Sequence, residues 1–181
     1  MERRQALELI QARVKNKNLL KHMLAVEALM KHLARRWGED EEFWGLSGLI
    51  HDLDVEATAD APEKHGLITE RILRELGEPE SLIQAVLAHC GRSECSCRMD
   101  RALYAADPLT GMIVACALVA KDRKLSNVDA DFVERRMKEK RFAMGVKRGQ
   151  IEACEKLGIP LPEFIALGLT AMGEISGELG L

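Results

Sequence analysis

A chain of 181 residues, 47% apolar and 30% charged, fits one globular domain with a real hydrophobic core. Aromatics make up only 4% of it, so aliphatic side chains and eight Met must fill the interior, a mix that suits packed helices better than a β-sandwich. The net charge of −3 supplies no global basic field for nucleic acid, and Met1-Glu2-Arg3-Arg4 leads into an amphipathic helix, not a signal peptide's apolar core.

Five cysteines, an odd number without a secretion signal, read as reduced thiols in the cytoplasm. The longest mostly apolar stretch, Gly111 to Ala120, is too short to span a bilayer, so no membrane partner is expected.

In chain order, Glu2 to about Val14 reads as an opening helix with Leu7, Ile10 and Val14 spaced by three and four. Asn18 is placed to cap a second helix that runs to Trp37 and stops at Gly38, with Leu19, Met23, Val26, Met30 and Leu33 as its core stripe. A third helix spans about Asp40 to Leu53. Asp54 to Pro62 lacks helical periodicity and reads as a loop. Pro62 then starts a helix ending near Gly77, and Pro79 opens another that reaches Cys90 and stops at Gly91. A helix from Met99 is expected to end at Asp107, because Pro108 disfavours helical geometry in the residue before it; Pro108 would begin the next, to Lys121. Gly111 and Ala115 there suggest close helix packing. Weaker helices follow over Asp129 to Phe142, Gln150 to Leu157 and Pro162 to about Leu179. No period of two persists, so the expected fold is all-α, a compact multi-helix bundle.

Chemistry concentrates in the histidines and two carboxylates. His22 has Val26, Leu29 and Leu33 at offsets of four, seven and eleven, which sets an imidazole on or beside the buried face. His51 and Asp52 sit in the apolar run Gly48-Leu49-Ile50-His51-Asp52-Leu53, where an ionised carboxylate is costly unless a cation or strong hydrogen bonds compensate it. Asp107 repeats the pattern in Ala105-Ala106-Asp107-Pro108; its plainer reading is a helix-terminal turn residue.

The order His22, then His51-Asp52, then Asp107 resembles the H…HD…D signature of the HD superfamily of metal-dependent phosphohydrolases, over roughly Asn18 to Ala120. The resemblance implies an HD-like helical fold spanning 1–181 as one domain, with a metal-binding core over about 18–120 and a helical extension over about 121–181. It implies that His22, His51, Asp52 and Asp107 hold one divalent ion. In branches with a second ion, His65 and His89 would hold it, with Asp52 bridging and central to catalysis. His32 reads as surface.

The donor set is nitrogen and oxygen only, compatible with Mn, Fe, Ni, Zn or Mg. The implied reaction is hydrolysis of a phosphate ester or anhydride of a nucleotide or other small phosphorylated metabolite by a metal-bound hydroxide. Related hydrolases often continue the pair as His-Asp-Ile-Gly-Lys, whereas this chain reads His51-Asp52-Leu53-Asp54-Val55-Glu56, adding two acids beside an anion site. That departure leaves room for a di-iron oxygenase; a non-catalytic metal-binding module is the other alternative.

The basic residues Lys121, Arg123, Lys124, Arg135, Arg136, Lys138, Lys140, Arg141, Lys147 and Arg148 read first as solvated helix faces. An anion-binding wall beside the metal and a nucleic-acid surface are the alternatives, the latter weakened by having only Phe132 and Phe142 among them. Cys90, Cys95 and Cys97 lack the spacing of a structural zinc site and read as exposed loop thiols; Cys116 and Cys154 read as small core residues. The helix from Pro162 can serve as a core lid or as a homo-oligomer contact.

Overall fold

A computed structural model describes all residues, 1–181. It is all-α, with no strand and ten α-helices: α1 Arg3–Arg13, α2 Lys17–Trp37, α3 Glu41–Ile50, α4 Leu67–Glu75, α5 Glu80–His89, α6 Arg98–Val119, α7 Ala130–Met137, α8 Arg148–Glu152, α9 Leu161–Glu174 and α10 Ser176–Leu179. Short 3₁₀ turns fill several of the connections.

Local chemistry explains most boundaries. Asn16, not Asn18, caps α2, because its side chain accepts from the Asn18 N–H at 2.9 Å. Gly38 ends α2 with φ 68°, a left-handed conformation that glycine adopts without Cβ strain. Asp40 then caps α3 by accepting from the Phe43 N–H. The connection from Gly38 to Asp40 is short enough to fold α3 directly onto α2. After α3, residues 51–60 form consecutive turns, as the loss of helical periodicity implies. Pro62 opens only a 3₁₀ turn, Pro62–Lys64, and α4 starts afterwards at Gly66, whose φ of 86° breaks the continuous helix expected from Pro62. The last expected helix is likewise divided at Ile175 into α9 and α10.

The main correction concerns α6. It does not stop at Asp107 but runs through Pro108 for 22 residues. Proline removes the hydrogen bond to the Tyr104 carbonyl, at a cost of about 3 kcal/mol in a helix interior. Burial outweighs that cost: Ala102, Leu103, Ala105, Ala106, Leu109, Met112, Ile113, Cys116 and Ala117 are all fully buried. Each large aliphatic side chain among them contributes about 1.5–3 kcal/mol. The uninterrupted α6 is long and apolar enough to cross a membrane by length and composition, unlike the shorter stretch read from sequence; here most of it is enclosed by the other helices.

Two buried clusters flank this axis. The larger joins α6 to the inner face of α2 and to α7, α8 and α9; the smaller joins α1, the start of α2, α3, α4 and α5. Cys116 and Cys154 are buried, and burial pushes both thiols up to about 11. Cys90 and Cys95 are half-buried, and of the three loop thiols only Cys97 is exposed, where it caps α6. His32 is also not a free surface residue: its side chain is 12% exposed and its Nε2 lies 3.0 Å from Glu174.

Close helix packing occurs elsewhere than at Gly111, which is 3.7 Å or more from its neighbours even with a Cβ added. It occurs at Gly48, where a Cβ would stand 2.8 Å from the backbone of Val26 and Glu27. That contact brings α3, with the His51-Asp52 pair at its end, against α2, which carries His22. Gly48→Ala is expected to force the two helices apart and to cost about 1–3 kcal/mol, read as a lower denaturation midpoint.

Candidate metal centre

Five segments deliver the six residues singled out by sequence to one place. His22 comes from the first half of α2, His51 and Asp52 from the end of α3, His65 from the turn before α4, His89 from the last residue of α5, and Asp107 from the middle of α6. His22 Nε2 lies 3.1 Å from Asp107 Oδ1 and 3.7 Å from Asp52 Oδ2. His51 Nε2 lies 3.5 Å from Asp52 Oδ2 and 3.8 Å from Asp107 Oδ1. On the other side, Asp52 Oδ1 lies 3.4 Å from His65 Nε2 and 3.5 Å from His89 Nε2. The two oxygens of Asp52 therefore face two different histidine pairs.

The outer nitrogens of these rings are all engaged. His51 Nδ1 is 2.7 Å from the Gly48 carbonyl, and His89 Nδ1 donates to the Val86 carbonyl. His65 Nδ1 is 2.9 Å from Asp54 Oδ1. His22 Nδ1 is 3.1 Å from Thr110 Oγ1, whose own proton goes to the Asp107 carbonyl at 2.9 Å. With only acceptors opposite Nδ1, each neutral ring carries its proton there and turns an Nε2 lone pair inward. Outer-shell partners of this kind fix the tautomer and aim of metal-binding histidines.

Without a cation the arrangement is electrostatically unfinished. His51 Nε2 is fully buried with no hydrogen-bond partner. His65 Nε2 and His89 Nε2 face each other at 3.2 Å, two lone pairs in contact unless a positive charge lies between them. Donor spacings of 3.1–3.8 Å suit a shared ion, since bonds of about 2.1 Å set neighbouring donors about 3.0 Å apart in an octahedron and about 3.4 Å in a tetrahedron. Two overlapping groups could hold an ion: His22, His51 and Asp107, and His51, Asp52 and His89.

Titration follows the same geometry. Burial pushes His51 down to about 4, against the pull of Asp52 and Asp107. Burial also opposes charge on His22, but the hydrogen bond and charge of Asp107 outweigh it and raise its pKa. The hydrogen bond that His65 donates to Asp54 raises the pKa of His65. Burial disfavours ionised Asp52 and Asp107, yet the surrounding histidines hold both below the usual carboxylate range.

Asp54 is the residue whose role sequence reasoning missed. It is buried, and besides His65 its carboxylate accepts from the N–H groups of Gly66, Ile68 and Thr69 at 3.0–3.1 Å. It thus caps the exposed N–H groups at the start of α4 and orients His65 together. Glu56 is spent as well, accepting from the backbone of Lys15 and Asn16 at 2.9 and 2.6 Å and tying the turn segment to the start of α2. Both acids thus have structural partners. Arg92 adds another tie, donating to the carbonyls of His65 and Glu63. Thr110 and Arg92 carry no sequence signal. Nor does Asp54, which stands twelve residues before Gly66 in the chain.

The basic stretch is partly structural too. Arg148 donates to the carbonyls of Met137, Glu139 and Phe142, and Arg136 stacks on Phe132 and Phe142 and pairs with Glu139.

The HD domain profile matches residues 19–112, more than half of the chain. The chain belongs to the HD domain family. Within curated proteins, this HD domain is similar to ribonuclease Y of Sulfurovum sp. (strain NBC37-1), 33% identical over 93 residues, which are 51% of this chain and 18% of that protein. Ribonuclease Y of Desulfotalea psychrophila is 29% identical over 94 residues, 52% of this chain and 18% of the relative. For ribonuclease Y of Thermotoga petrophila the figures are 27% over 130 residues, 72% and 24%. The chain thus spans a quarter or less of each of these relatives. No solved structure matches it.

Two outcomes are expected for the HD centre. A bound ion must displace the protons that His22 and His65 retain to a higher pH than ordinary histidine. Affinity for Mn²⁺ should therefore rise with pH through the histidine range, by about tenfold per unit for each proton displaced, and level off above the raised values; calorimetric titration from pH 5.5 to 8.5 measures it. Thr110→Val keeps the volume but leaves His22 Nδ1 without an acceptor, and should weaken binding by about 10–100-fold in the same titration.

Proposed function

We propose that this chain is a metal-dependent phosphohydrolase that cleaves a phosphate ester or anhydride of a nucleotide or other small phosphorylated metabolite. The carrying observation is the set of inward Nε2 lone pairs around a two-sided carboxylate, an arrangement stable only around positive charge. His22, His51, Asp52 and Asp107 would hold one divalent ion, and His65 and His89 a second, with Asp52 shared. Such ions, when bound, supply a lowered water pKa and neutralise charge on the phosphoryl oxygens. The nitrogen and oxygen donors suit Mn, Fe, Ni, Zn or Mg.

The chain's own residues supply the rest. Gly48, Val86, Asp54 and Thr110 fix the imidazoles before any ligand arrives, so little reorganisation is needed in the reaction. The site is also asymmetric: the side chains of His51 and His89 are 0% and 2% exposed, whereas those of His22, His65 and Asp107 are 22–27% exposed. The first two form the floor, and a phosphate approaches from the side of the other three. Asp54 and Glu56 are both engaged by backbone amides, a structural use that weakens the doubt these acids cast on a phosphate contact. Similarity to proteins named ribonuclease Y supports phosphoester chemistry and places a short oligoribonucleotide in the substrate panel beside nucleotides and monoesters.

Wild-type protein loaded with Mn²⁺ should hydrolyse a generic phosphodiester or nucleotide and release phosphate or nucleotide product. Asp52→Ala should lose both the metal, by elemental analysis, and the activity. Full metal content in that variant would refute the ligand assignment, and an iron-loaded protein that consumes oxygen but cleaves no phosphoester would refute the hydrolase.

A further inference from the structure

Beside the metal centre lies a cavity of about 460 Å³, lined on one side by His22 itself. Its walls are mostly aliphatic: Val114 and Leu118 from α6 and Leu179 from α10, with Gly111 in the α6 wall. At its rim, Asn18 and Lys21 come from the first turns of α2. The volume is in the range that holds small organic ligands. Gly111 follows Asp107 by one helical turn, so the cavity and the cluster share the same side of α6.

Three features give this cavity a ligand chemistry. Lys21 is half-buried and takes part in no ion pair or side-chain hydrogen bond, although it adjoins His22 in sequence and lines the same cavity. Leu118 is an apolar side chain that lines the cavity and is 51% exposed. Apart from the His22 imidazole, which belongs to the metal centre, the walls carry no Phe, Tyr or Trp ring to stack a base and no Asp or Glu side chain to bind ribose hydroxyls; Asn18 and Lys21 are the other polar side chains present. The end lined by His22 and Lys21 therefore suits a phosphate, and the aliphatic end suits an uncharged apolar group.

We propose that this cavity selects a phosphoester whose organic part is apolar, an aryl or branched alkyl group. Lys21 meets the phosphate, and Gly111 leaves the room that the apolar group occupies. The inference rests on the phosphohydrolase reading and names its substrate class. Lys21 supplies the cation that the segment after His51-Asp52 lacks. Gly111 is free for this role because a side chain there would not clash: an added Cβ meets nothing closer than Val146 Cγ2, at 3.7 Å. Substitution would also favour the helix, since glycine is among the poorest residues in a helix interior.

The test uses stable phosphonates as probes on the full chain loaded with Mn²⁺, with affinities by calorimetry and metal content by elemental analysis. Phenylphosphonate should bind wild type at least about tenfold more tightly than methylphosphonate, the effect expected for burying an apolar ring. Gly111→Leu fills the cavity and Leu118→Asp charges its wall. In each, that ratio should fall towards one while metal content stays at the wild-type level. Lys21→Met should weaken both phosphonates by about tenfold or more, as loss of a charge-assisted contact does. Equal affinities in wild type, or a ratio unchanged in both cavity variants, would overturn the assignment while leaving the hydrolase reading intact. Adenosine monophosphate binding more tightly than phenylphosphonate would overturn it too, because the cavity would then belong to a nucleoside. If the protein retains no metal and binds neither phosphonate, the hydrolase reading itself fails, and the cavity assignment with it.

Discussion

Buried lone pairs and carboxylates that converge without a counter-charge repel one another and lose their hydration, and the architecture around α2, α3, α5 and α6 is organised to hold them together regardless. His51 sits fully buried with Nε2 unsatisfied, and His65 and His89 face each other at 3.2 Å. A helical bundle tolerates such a cluster only when the surrounding structure over-determines each ring. Here every Nδ1 is tied, two of them to carbonyls one helical turn earlier on the same segment and two to side chains from elsewhere in the fold.

That constraint reaches outward into the packing. The approach of α3 to α2 depends on the missing Cβ of Gly48, and the approach of α9 to α6 depends on Gly168, where a Cβ would lie 2.8 Å from Ile113 Cδ1. Asp54 ties the segment after His51-Asp52 to the start of α4, because the same carboxylate that fixes His65 also accepts the amides there. Its pKa is lowered: burial opposes the charge, but the His65 hydrogen bond and the Thr69 and Gly66 amides outweigh it. Local fold stability and the orientation of His65 thus share one side chain. Proline inside α6 fits the same pattern. Continuing the helix through Pro108 keeps Asp107 mid-helix, where Thr110 can bond to its carbonyl and to His22 at once.

Acidic residues after the His-Asp pair acquire a different meaning once their partners are seen. In sequence, Asp54 and Glu56 stand as extra negative charge near an anion site. In the fold, one is buried under backbone amides and the other bridges the start of α2. A charge counted along a chain does not reveal its role, because hydrogen-bond donors from distant segments can engage and stabilise it.

The sequence by itself determined the helical class, most helix positions and the identity of six residues with metal-compatible chemistry. Apolar periodicity, capping residues and the rare placement of histidine and aspartate in apolar runs are local properties, and local properties are written in neighbouring residues. Tertiary structure alone decided that α6 continues through Pro108, since burial on all sides overrides a local preference worth a few kcal/mol. It also decided that Thr110 and Asp54 orient His22 and His65, that His32 pairs with Glu174, and that Lys21 shares a cavity with His22. The Thr110, Asp54 and His32 contacts join residues 11 to 142 positions apart in the chain. Such contacts form only when packing brings separate segments together, and no pattern among sequence neighbours encodes them.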